Sequence, residues 1–319
     1  MKMHAYRDRA WARDLDLGAV TFRYDPAAVE ALIHWGRTWR DRPLAELGSA
    51  PKEGPLAEVA ARTKAALKEG PGLCLWRGFP HQFLDAEEVA RAYAVLGLGL
   101  GSLAPQNLQA ELLTHVRDTG ADPTAIETRL YTTRAAQDFH TDGADVIGLL
   151  CLRPAAQGGE SLVASSEAIV AELARTDPEL YPVLFEPFPW HYQEPGLEPF
   201  FFLRPICSEH GGRLNTFFIP WYLRRSQLLA DAPRLTPAQH RVIERVETLA
   251  NDPRFVVSMN FAPGDVQWLK NAAVLHRRNA YQDPPPPALG RHLLRLWVSA
   301  PDFDDGDPEL RRGLTLEER

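Results

Sequence analysis

The sequence predicts a mainly β protein with helical additions, built on a double-stranded β-helix core of the jelly-roll, cupin-like kind. Apolar stretches of strand character recur from Gly72 onward, and predicted helices flank these strands rather than alternating with them one for one. No linker rich in Gly or Ser divides the 319 residues. We therefore expect one core domain over residues 71–300, with a helical segment over residues 1–70 packed on it and an acidic, polar tail over residues 301–319.

The first third of the chain carries clear helix signals. Asp25 precedes a proline, which is a favourable N-cap and first-turn pair, and Gly70 ends a second helix. Asp85 with Glu88 forms a variant of the capping box. The predicted elements are helices over residues 26–40 and 55–69, a strand over residues 72–80 and a helix over residues 86–96.

Further along the chain, Thr236 with Gln239 caps another helix, and a Pro-Gly-Asp turn leads into a strand that bears His276. The predicted elements of this half are helices over residues 167–175 and 237–250, a short helix from residue 178, and a strand over residues 254–261.

An aromatic stretch over residues 186–223 separates these elements. Alternation within residues 213–221 predicts strands there. The stretch could form sandwich core and edge loops, or Trp190, Phe200 or Arg204 could close over a substrate as a lid.

The segment Asp138–Leu152 (DFHTDGADVIGLLCL) places His140 and Asp142 two residues apart at the head of an apolar run. Alternate residues of a strand lie on one face, so one strand end would direct an imidazole and a carboxylate toward one point. Two histidines and one carboxylate can hold a ferrous ion and leave positions open for substrate and dioxygen. The motif therefore predicts two cis ligands and requires a second histidine.

His276, at the end of the stretch GDVQWLKNAAVLH, is the candidate for that second histidine. The stretch RHLLRLWV follows, and in a strand Arg291 and Arg295 share one face. A buried guanidinium is costly unless it is paired with an anion. A dicarboxylate co-substrate would supply that anion, because the planar guanidinium pairs bidentately with carboxylates.

The set FHTD, GGES at residues 158–161, GDVQWLKNAAVLH and RHLLR resembles the taurine dioxygenase family of Fe(II)/2-oxoglutarate-dependent oxygenases. The resemblance covers roughly residues 72–300, and it implies a jelly-roll fold and a reaction that uses Fe(II), 2-oxoglutarate and O₂. Ser161 stands where the family usually has threonine. A few extra residues also lengthen the gap between His276 and Arg291.

The resemblance also implies roles for individual residues. The implied iron ligands are His140, Asp142 and His276. Arg291 would hold the far carboxylate of 2-oxoglutarate with help from Ser161, and Arg295 matches an arginine that holds the substrate's anionic group in the taurine enzyme. From the residues alone, either arginine could be the 2-oxoglutarate anchor.

Polar residues ahead of the His140 motif are candidates for contact with the substrate, because in this family such residues lie beside the metal. For each of them a surface or turn role is the competing interpretation. The candidates are Gln106, Asn107, Tyr131 and Gln137, together with His115, Arg117 and Arg129.

Composition excludes several classes of function. A net charge of −7 and a pI near 5.8, without a basic stripe, argue against nucleic acid. No apolar run is long enough for a membrane span, and the first residues lack the hydrophobic region of a secretory signal. The three cysteines are expected to be core residues. A cytoplasmic location fits these features, and a homo-oligomer is compatible with them.

The sequence thus predicts an Fe(II)- and 2-oxoglutarate-dependent dioxygenase that releases succinate and CO₂. Its expected reaction is oxidation, most simply hydroxylation, of an unactivated C–H bond in a small anionic organic acid or amino-acid-like substrate. Two alternatives stay open at this point. One is a jelly-roll that binds metal or ligand without catalysis. The other is a metal-dependent hydrolase that uses the same three ligands and an activated water.

Overall fold

A computed structural model describes residues 10–107, 109–125, 128–192, 198–210, 212–286, 288–300 and 303. Its α-helices are α1 (Pro26–Thr38), α2 (Pro55–Lys68), α3 (Ala86–Leu100), α4 (Ser166–Thr176), α5 (Pro220–Ser226) and α6 (Pro237–Ala250). Its strands are β1 (Thr21–Arg23), β2 (Leu73–Arg77), β3 (Ser102–Ala104), β4 (Leu113–Val116), β5 (Gln137–His140), β6 (Val146–Arg153), β7 (Gln157–Gly158), β8 (Ser161–Ser165), β9 (Phe188–Tyr192), β10 (Phe200–Arg204), β11 (Cys207–His210), β12 (Arg213–Thr216), β13 (Val257–Met259), β14 (Val266–Lys270), β15 (Val274–Arg278), β16 (Tyr281–Gln282) and β17 (His292–Ser299).

Two sheets make the core. The major sheet has seven strands in the order β1-β2-β14-β6-β17-β3, with β4 also paired to β17. The minor sheet has four strands in the order β13-β8-β15-β5. All of these pairings are antiparallel except that of β1 with β2.

The two sheets pack face to face. Val163 and Val274 of the minor sheet share one hydrophobic cluster with Ile147 and Trp268 of the major sheet. Helices α1, α2 and α3 cover the major sheet and contribute to the same cluster, whereas α4 and α6 pack in a second cluster beside the minor sheet. The space between the sheets, where the apolar faces meet, is also where the polar site described below lies.

Helix starts that depend on a capping residue are confirmed. The Asp25 side chain accepts a hydrogen bond from the Ala28 amide, and both Asp85 and Thr236 head complete capping boxes. The ends were less well predicted. Helix α3 continues to Leu100 rather than stopping at residue 96, because two glycines inside an apolar stretch did not interrupt it. The short helix predicted from residue 178 is a 3₁₀ helix over Tyr181–Phe185.

Two strand predictions were wrong. The stretch leading to His276 is not one strand: β14 ends at Lys270, a turn follows, and β15 begins at Val274 in the other sheet. Within residues 213–221, only Arg213–Thr216 is a strand, and Trp221 lies in α5. Neither change of direction was recognised from the sequence: the first lies at Lys-Asn-Ala-Ala over residues 270–273, and the second at Pro220, where α5 begins.

Two of the three lid candidates, Trp190 and Arg204, are buried. Trp190 is fully buried, its Nε1 donates to the Arg204 carbonyl oxygen at 2.8 Å, and its ring packs against Phe217 with centroids 4.8 Å apart. Neither Trp190 nor Arg204 lines the pocket described below.

The predicted division at residues 70 and 300 stays a prediction. Within the first segment, β1 joins the edge of the major sheet through β2. The predicted tail lies outside the described residues except for Phe303, which is buried in the main cluster. No helix in the described part of the chain is long and apolar enough to cross a membrane.

Candidate active site

Three side chains predicted from the sequence converge between the two sheets. His140 ends β5 and His276 lies in β15, where the two residues are direct cross-strand partners with ring centroids 4.4 Å apart. Asp142 follows β5, so it lies on the connection to β6 rather than on a strand as predicted. Its carboxylate oxygens lie 4.0 Å from His140 Nε2 and 3.8 Å from His276 Nε2. One candidate ligand atom from each residue falls within 4.8 Å of the others.

The backbone of Asp142 is held by the side chain of Asn271, which lies in the turn between β14 and β15. The Asp142 amide donates to Asn271 Oδ1 at 2.7 Å, and Asn271 Nδ2 donates to the Asp142 carbonyl oxygen at 2.6 Å. Asn271 is 0% exposed. This amide therefore satisfies both backbone groups of the carboxylate residue and ties it to the strand pair that carries His276.

Hydrogen bonding orients the His140 ring. Its Nδ1 lies 2.7 Å from the Asp138 carbonyl oxygen, which can only accept, so Nδ1 carries the proton and the Nε2 lone pair faces Asp142. Burial lowers the pKa of His140, and burial together with the nearby His140 lowers the pKa of His276 to about 3. Both imidazoles are therefore neutral at pH 7, which is the form that binds metals.

Asp142 is ionised despite its burial. Burial by itself would raise its pKa, but the charge of Arg295 and the hydrogen bond from Trp297 help to hold the pKa below its ordinary value. Two neutral imidazoles and one carboxylate are the donor set of the facial triad that binds Fe(II). The residues present thus fit an iron ion, and no other group of three metal-binding side chains occurs among the described residues.

A pocket opens beside this triad. It is lined by Val116, Tyr131, Gln137, His140, Asp142, Ile147, Leu149, Ser161, Phe261, His276, Arg277, Arg278, Arg291, Leu293 and Arg295. Four arginines and a single carboxylate are among these residues. Arg277 alternates to the opposite face of β15 from His276 and Arg278, and its guanidinium lies over the Phe139 ring, so three cations face the interior. The pocket is therefore strongly electropositive, with an apolar wall formed mainly by the major sheet.

Arg291 lies just before β17 and is buried. Its Nη2 is 3.5 Å from the Gly159 carbonyl oxygen, and its guanidinium lies 5.1 Å from the centre of the Tyr281 ring. Nη1 has no hydrogen-bond partner among the described residues. Ser161 also faces the interior, where its hydroxyl donates to Gln267 Oε1 at 3.1 Å.

Arg295 is held much closer to the triad. Its Nη1 lies 3.2 Å from Asp142 Oδ2, and its Nε donates to Gln106 Oε1 at 2.8 Å. Trp297 Nε1 donates to the same Asp142 oxygen at 3.2 Å. The guanidinium also lies over the rings of Tyr131 and Trp297. Arg295 thus contacts the predicted metal ligand Asp142, whereas Arg291 keeps an N–H donor, Nη1, without a partner among the described residues.

The other predicted pocket residues separate into two groups. Tyr131 and Gln137 line the pocket. Gln106 instead supports Arg295 and donates to the Arg295 carbonyl oxygen at 3.0 Å, and Asn107 pairs with Glu111 at 2.7 Å outside the lining.

Sequence reasoning missed several residues that the structure places at the site, among them Asn271 and Arg278. Asn271 gave no signal, because its partners are backbone groups distant in sequence. Arg278 could have been found, since it lies two residues beyond His276 and therefore on the same face of β15.

The fold and the triad define a class: a jelly-roll protein with a facial His-Asp-His site. The comparison with protein families is specific, because residues 40–297 match the model described as "Taurine catabolism dioxygenase TauD, TfdA family". The chain belongs to this family and is an Fe(II)/2-oxoglutarate-dependent dioxygenase, with Fe(II), 2-oxoglutarate and O₂ as its cofactors and co-substrates. The predicted family, enzyme class and cofactors are confirmed.

Individual relatives agree with this assignment. The chain is 32% identical to FR-33289 synthase from Streptomyces rubellomurinus over 76% of its own length and 73% of that protein. It is 33% identical to the taurine hydroxylase-like protein SAT17 of Stachybotrys chartarum over 50% of its own length and 41% of that protein.

Solved structures show the same fold at low identity. An asparagine oxygenase in complex with Fe(II), 2S,3S-3-hydroxyasparagine and succinate superposes with a TM-score of 0.65 at 14% identity, covering 88% of this chain and 94% of that one. The non-heme iron oxygenase OrfP in complex with Fe and α-ketoglutaric acid gives 0.62 at 15% identity, covering 93% and 96%. The predicted jelly-roll class is thereby confirmed.

Proposed function

We propose that this dioxygenase hydroxylates an unactivated C–H bond of a small anionic organic acid or amino-acid-like substrate and releases succinate and CO₂. The observation that carries the proposal is the charge of the pocket: Arg278, Arg291 and Arg295 line it together with a single carboxylate beside the metal triad. An excess of cations over carboxylates favours the binding of anions.

In the proposed site, His140, Asp142 and His276 hold Fe(II). The bound iron supplies the one-electron chemistry that activates O₂ together with 2-oxoglutarate. The chain's own contribution is the facial arrangement of the three donors, which leaves coordination positions on the pocket side. Asn271 and the Asp138 carbonyl oxygen keep the carboxylate and the His140 ring in that arrangement.

Arg291 and Ser161 bind the far carboxylate of 2-oxoglutarate in this proposal. Arg291 is buried with a free donor at Nη1, and Ser161 offers a hydroxyl in the same pocket. We choose Arg291 rather than Arg295 as the anchor because Arg295 directs Nε and Nη1 to Gln106 and Asp142, whereas Nη1 of Arg291 has no hydrogen-bond partner among the described residues.

Charge balance then leaves a requirement for the primary substrate. Fe(II) carries a charge of +2 and 2-oxoglutarate a charge of −2, so the two together leave the net charge of the pocket unchanged. With neutral histidines, Arg278, Arg291 and Arg295 outnumber the carboxylate of Asp142 by two positive charges. An anionic substrate offsets part of this surplus, and Arg295 is the guanidinium nearest the metal that could contact it, with Tyr131 and Gln137 on the same wall.

The apolar wall protects the reaction from water. Leu149, Phe261 and Leu293 line the pocket and belong to a small hydrophobic cluster that Tyr131 also joins. Among the described lining residues Asp142 is the sole carboxylate, so the hydrolase alternative would lack a separate general base.

Relatives and neighbours support a small-molecule substrate. The asparagine oxygenase structure contains a hydroxylated amino acid and succinate, and another relative, 28% identical over 54% of this chain, is a uridine-5'-phosphate dioxygenase from an Amycolatopsis species. The three cysteines are buried free thiols, which supports the expected cytoplasmic location.

The test is a screen for succinate release with matched substrate pairs, each an organic acid or N-acetylated amino acid and its neutral methyl ester or amide. We expect turnover above the substrate-free background only with anionic members, and Arg295→Gln to raise KM for them. If the neutral members stimulate succinate release as strongly as their acids do, the requirement for an anionic substrate is refuted. If no compound leads to consumption of 2-oxoglutarate, a non-catalytic binding protein is favoured.

A further inference from the structure

Arg278 is a buried cation in the pocket for which the proposed function has no role. It is 6% exposed and lines the same pocket as Arg291. In the minor sheet it lies directly opposite Ser161 of β8 and Gln137 of β5. Since cross-strand partners point to the same side of a sheet, Arg278, Ser161 and Gln137 form a polar row on the interior face.

This row lies next to the metal row. His276 and His140 face each other at one register position, and Arg278 lies two residues further along β15. Two residues of a strand span about 7 Å. A five-carbon dicarboxylate bound at the iron through its first carboxylate and keto oxygen would therefore extend its far carboxylate toward Arg278 and Ser161.

The guanidinium of Arg278 is only partly used. Nη2 donates to the carbonyl oxygens of Leu130, Thr133 and Ala135. Nε and Nη1 have no hydrogen-bond partner among the described residues. A buried cation that keeps two unsatisfied donors is unfavourable unless a ligand completes it.

A second cation shares the same surroundings. The guanidinium carbons of Arg278 and Arg291 lie 5.0 Å and 5.1 Å from the centre of the Tyr281 ring. Two guanidinium groups held beside one aromatic ring favour an anion that lies between or beside them.

We propose that Arg278 is a second guanidinium that binds the far carboxylate of 2-oxoglutarate, acting with Arg291 and Ser161. The inference rests on the proposed function, because it assumes that 2-oxoglutarate binds at the triad. It goes beyond that function in assigning a co-substrate contact to the strand that carries His276. The same strand would then position a metal ligand and the far end of the co-substrate.

The competing role for Arg278 is structural, because its hydrogen bonds to three carbonyl oxygens hold residues 130–135 against β15. The two roles predict different dependence on the ligand. A co-substrate contact affects only 2-oxo acids that carry a far carboxylate, whereas a fastening role affects every ligand of the pocket alike.

The experiment is an anaerobic titration of the Fe(II)-loaded full chain with 2-oxoglutarate and with 2-oxopentanoate, which has a methyl group in place of the far carboxylate. Binding is read from the visible charge-transfer band and independently by calorimetry. We expect Arg278→Gln to weaken 2-oxoglutarate about 10- to 100-fold and to leave 2-oxopentanoate and Fe(II) affinity within about twofold. Arg134→Gln is the control, because it removes a surface arginine of the same loop that pairs with Asp118.

Equal weakening of both 2-oxo acids, or no weakening of either, would overturn the proposal. If Arg278→Gln does not fold, Arg278→Lys is measured instead, because lysine keeps the charge on a shorter side chain. A several-fold loss of affinity for 2-oxoglutarate alone supports the contact. An equal change in affinity for both ligands refutes it. Failure of the wild-type chain to bind 2-oxoglutarate would instead refute the proposed function.

Discussion

Replacing Asn271 with alanine should weaken iron binding although Asn271 is not a metal ligand. The change removes two hydrogen bonds of 2.6 and 2.7 Å to the Asp142 backbone and leaves a buried N–H and C=O without their partner. Each such group costs about 1–3 kcal/mol, so the folded protein loses roughly 2–6 kcal/mol of support for the segment that presents the carboxylate. Residues that orient metal ligands typically contribute about 10- to 100-fold to metal affinity, and we expect Asn271→Ala to raise the Kd for Fe(II) by that factor.

The assay is an anaerobic competition for Fe(II) against a chromophoric chelator, with thermal unfolding measured in parallel. Asn279→Ala is a matched control, because Asn279 also makes a side-chain hydrogen bond, to Glu160 at 2.8 Å, but contacts no proposed ligand. Unchanged Fe(II) affinity in folded Asn271→Ala, or an equal loss in Asn279→Ala, would refute the reasoning.

Three further predictions concern the triad and the pocket. His276→Ala should abolish stoichiometric iron by metal analysis while the chain stays folded by circular dichroism; retained iron would exclude His276 as a ligand. Gly159→Ala should weaken 2-oxoglutarate more than Fe(II), because its Cβ would lie 3.1 Å from Arg291 Nε at φ +75°. Gly212→Ala, with φ +74° and open space, carries the same backbone strain of about 1–2 kcal/mol without that contact and should bind 2-oxoglutarate normally. Because burial lowers the pKa of both histidines, Fe(II) binding should persist as the pH falls through 6.5; an anaerobic titration showing half-loss near pH 6.5 would contradict this.

The parts of the fold that could be predicted depend on local chemistry. Asp25, Asp85 and Thr236 cap helices through hydrogen bonds within a few residues, so the sequence contains both partners of each contact. The pairing of His140 with His276 was predicted for a different reason. The two histidines occur in motifs that are typical of the family, and these motifs imply that the two side chains bind the same metal ion although they are distant in sequence.

The remaining features depend on contacts that sequence patterns do not record. The turn between β14 and β15, at residues 271–273, contains no glycine or proline, and its Asn271 acts through backbone groups 129 residues away. Asp142 lies beyond the end of β5, so the alternation that suggested its direction does not apply to it. The ion pair of Arg295 with Asp142 likewise becomes visible only when β17 lies beside β6.

The central claim is that the His-Asp-His site and Arg291 together bind Fe(II) and 2-oxoglutarate. Its most direct test is the anaerobic addition of Fe(II) and then 2-oxoglutarate to the wild-type chain, to His140→Ala and to Arg291→Gln, with the visible charge-transfer band as readout. We predict a band in the wild type, no band in His140→Ala, and a band in Arg291→Gln that requires far more 2-oxoglutarate. The absence of a band in folded, iron-loaded wild type, or an identical titration for Arg291→Gln, would contradict that claim.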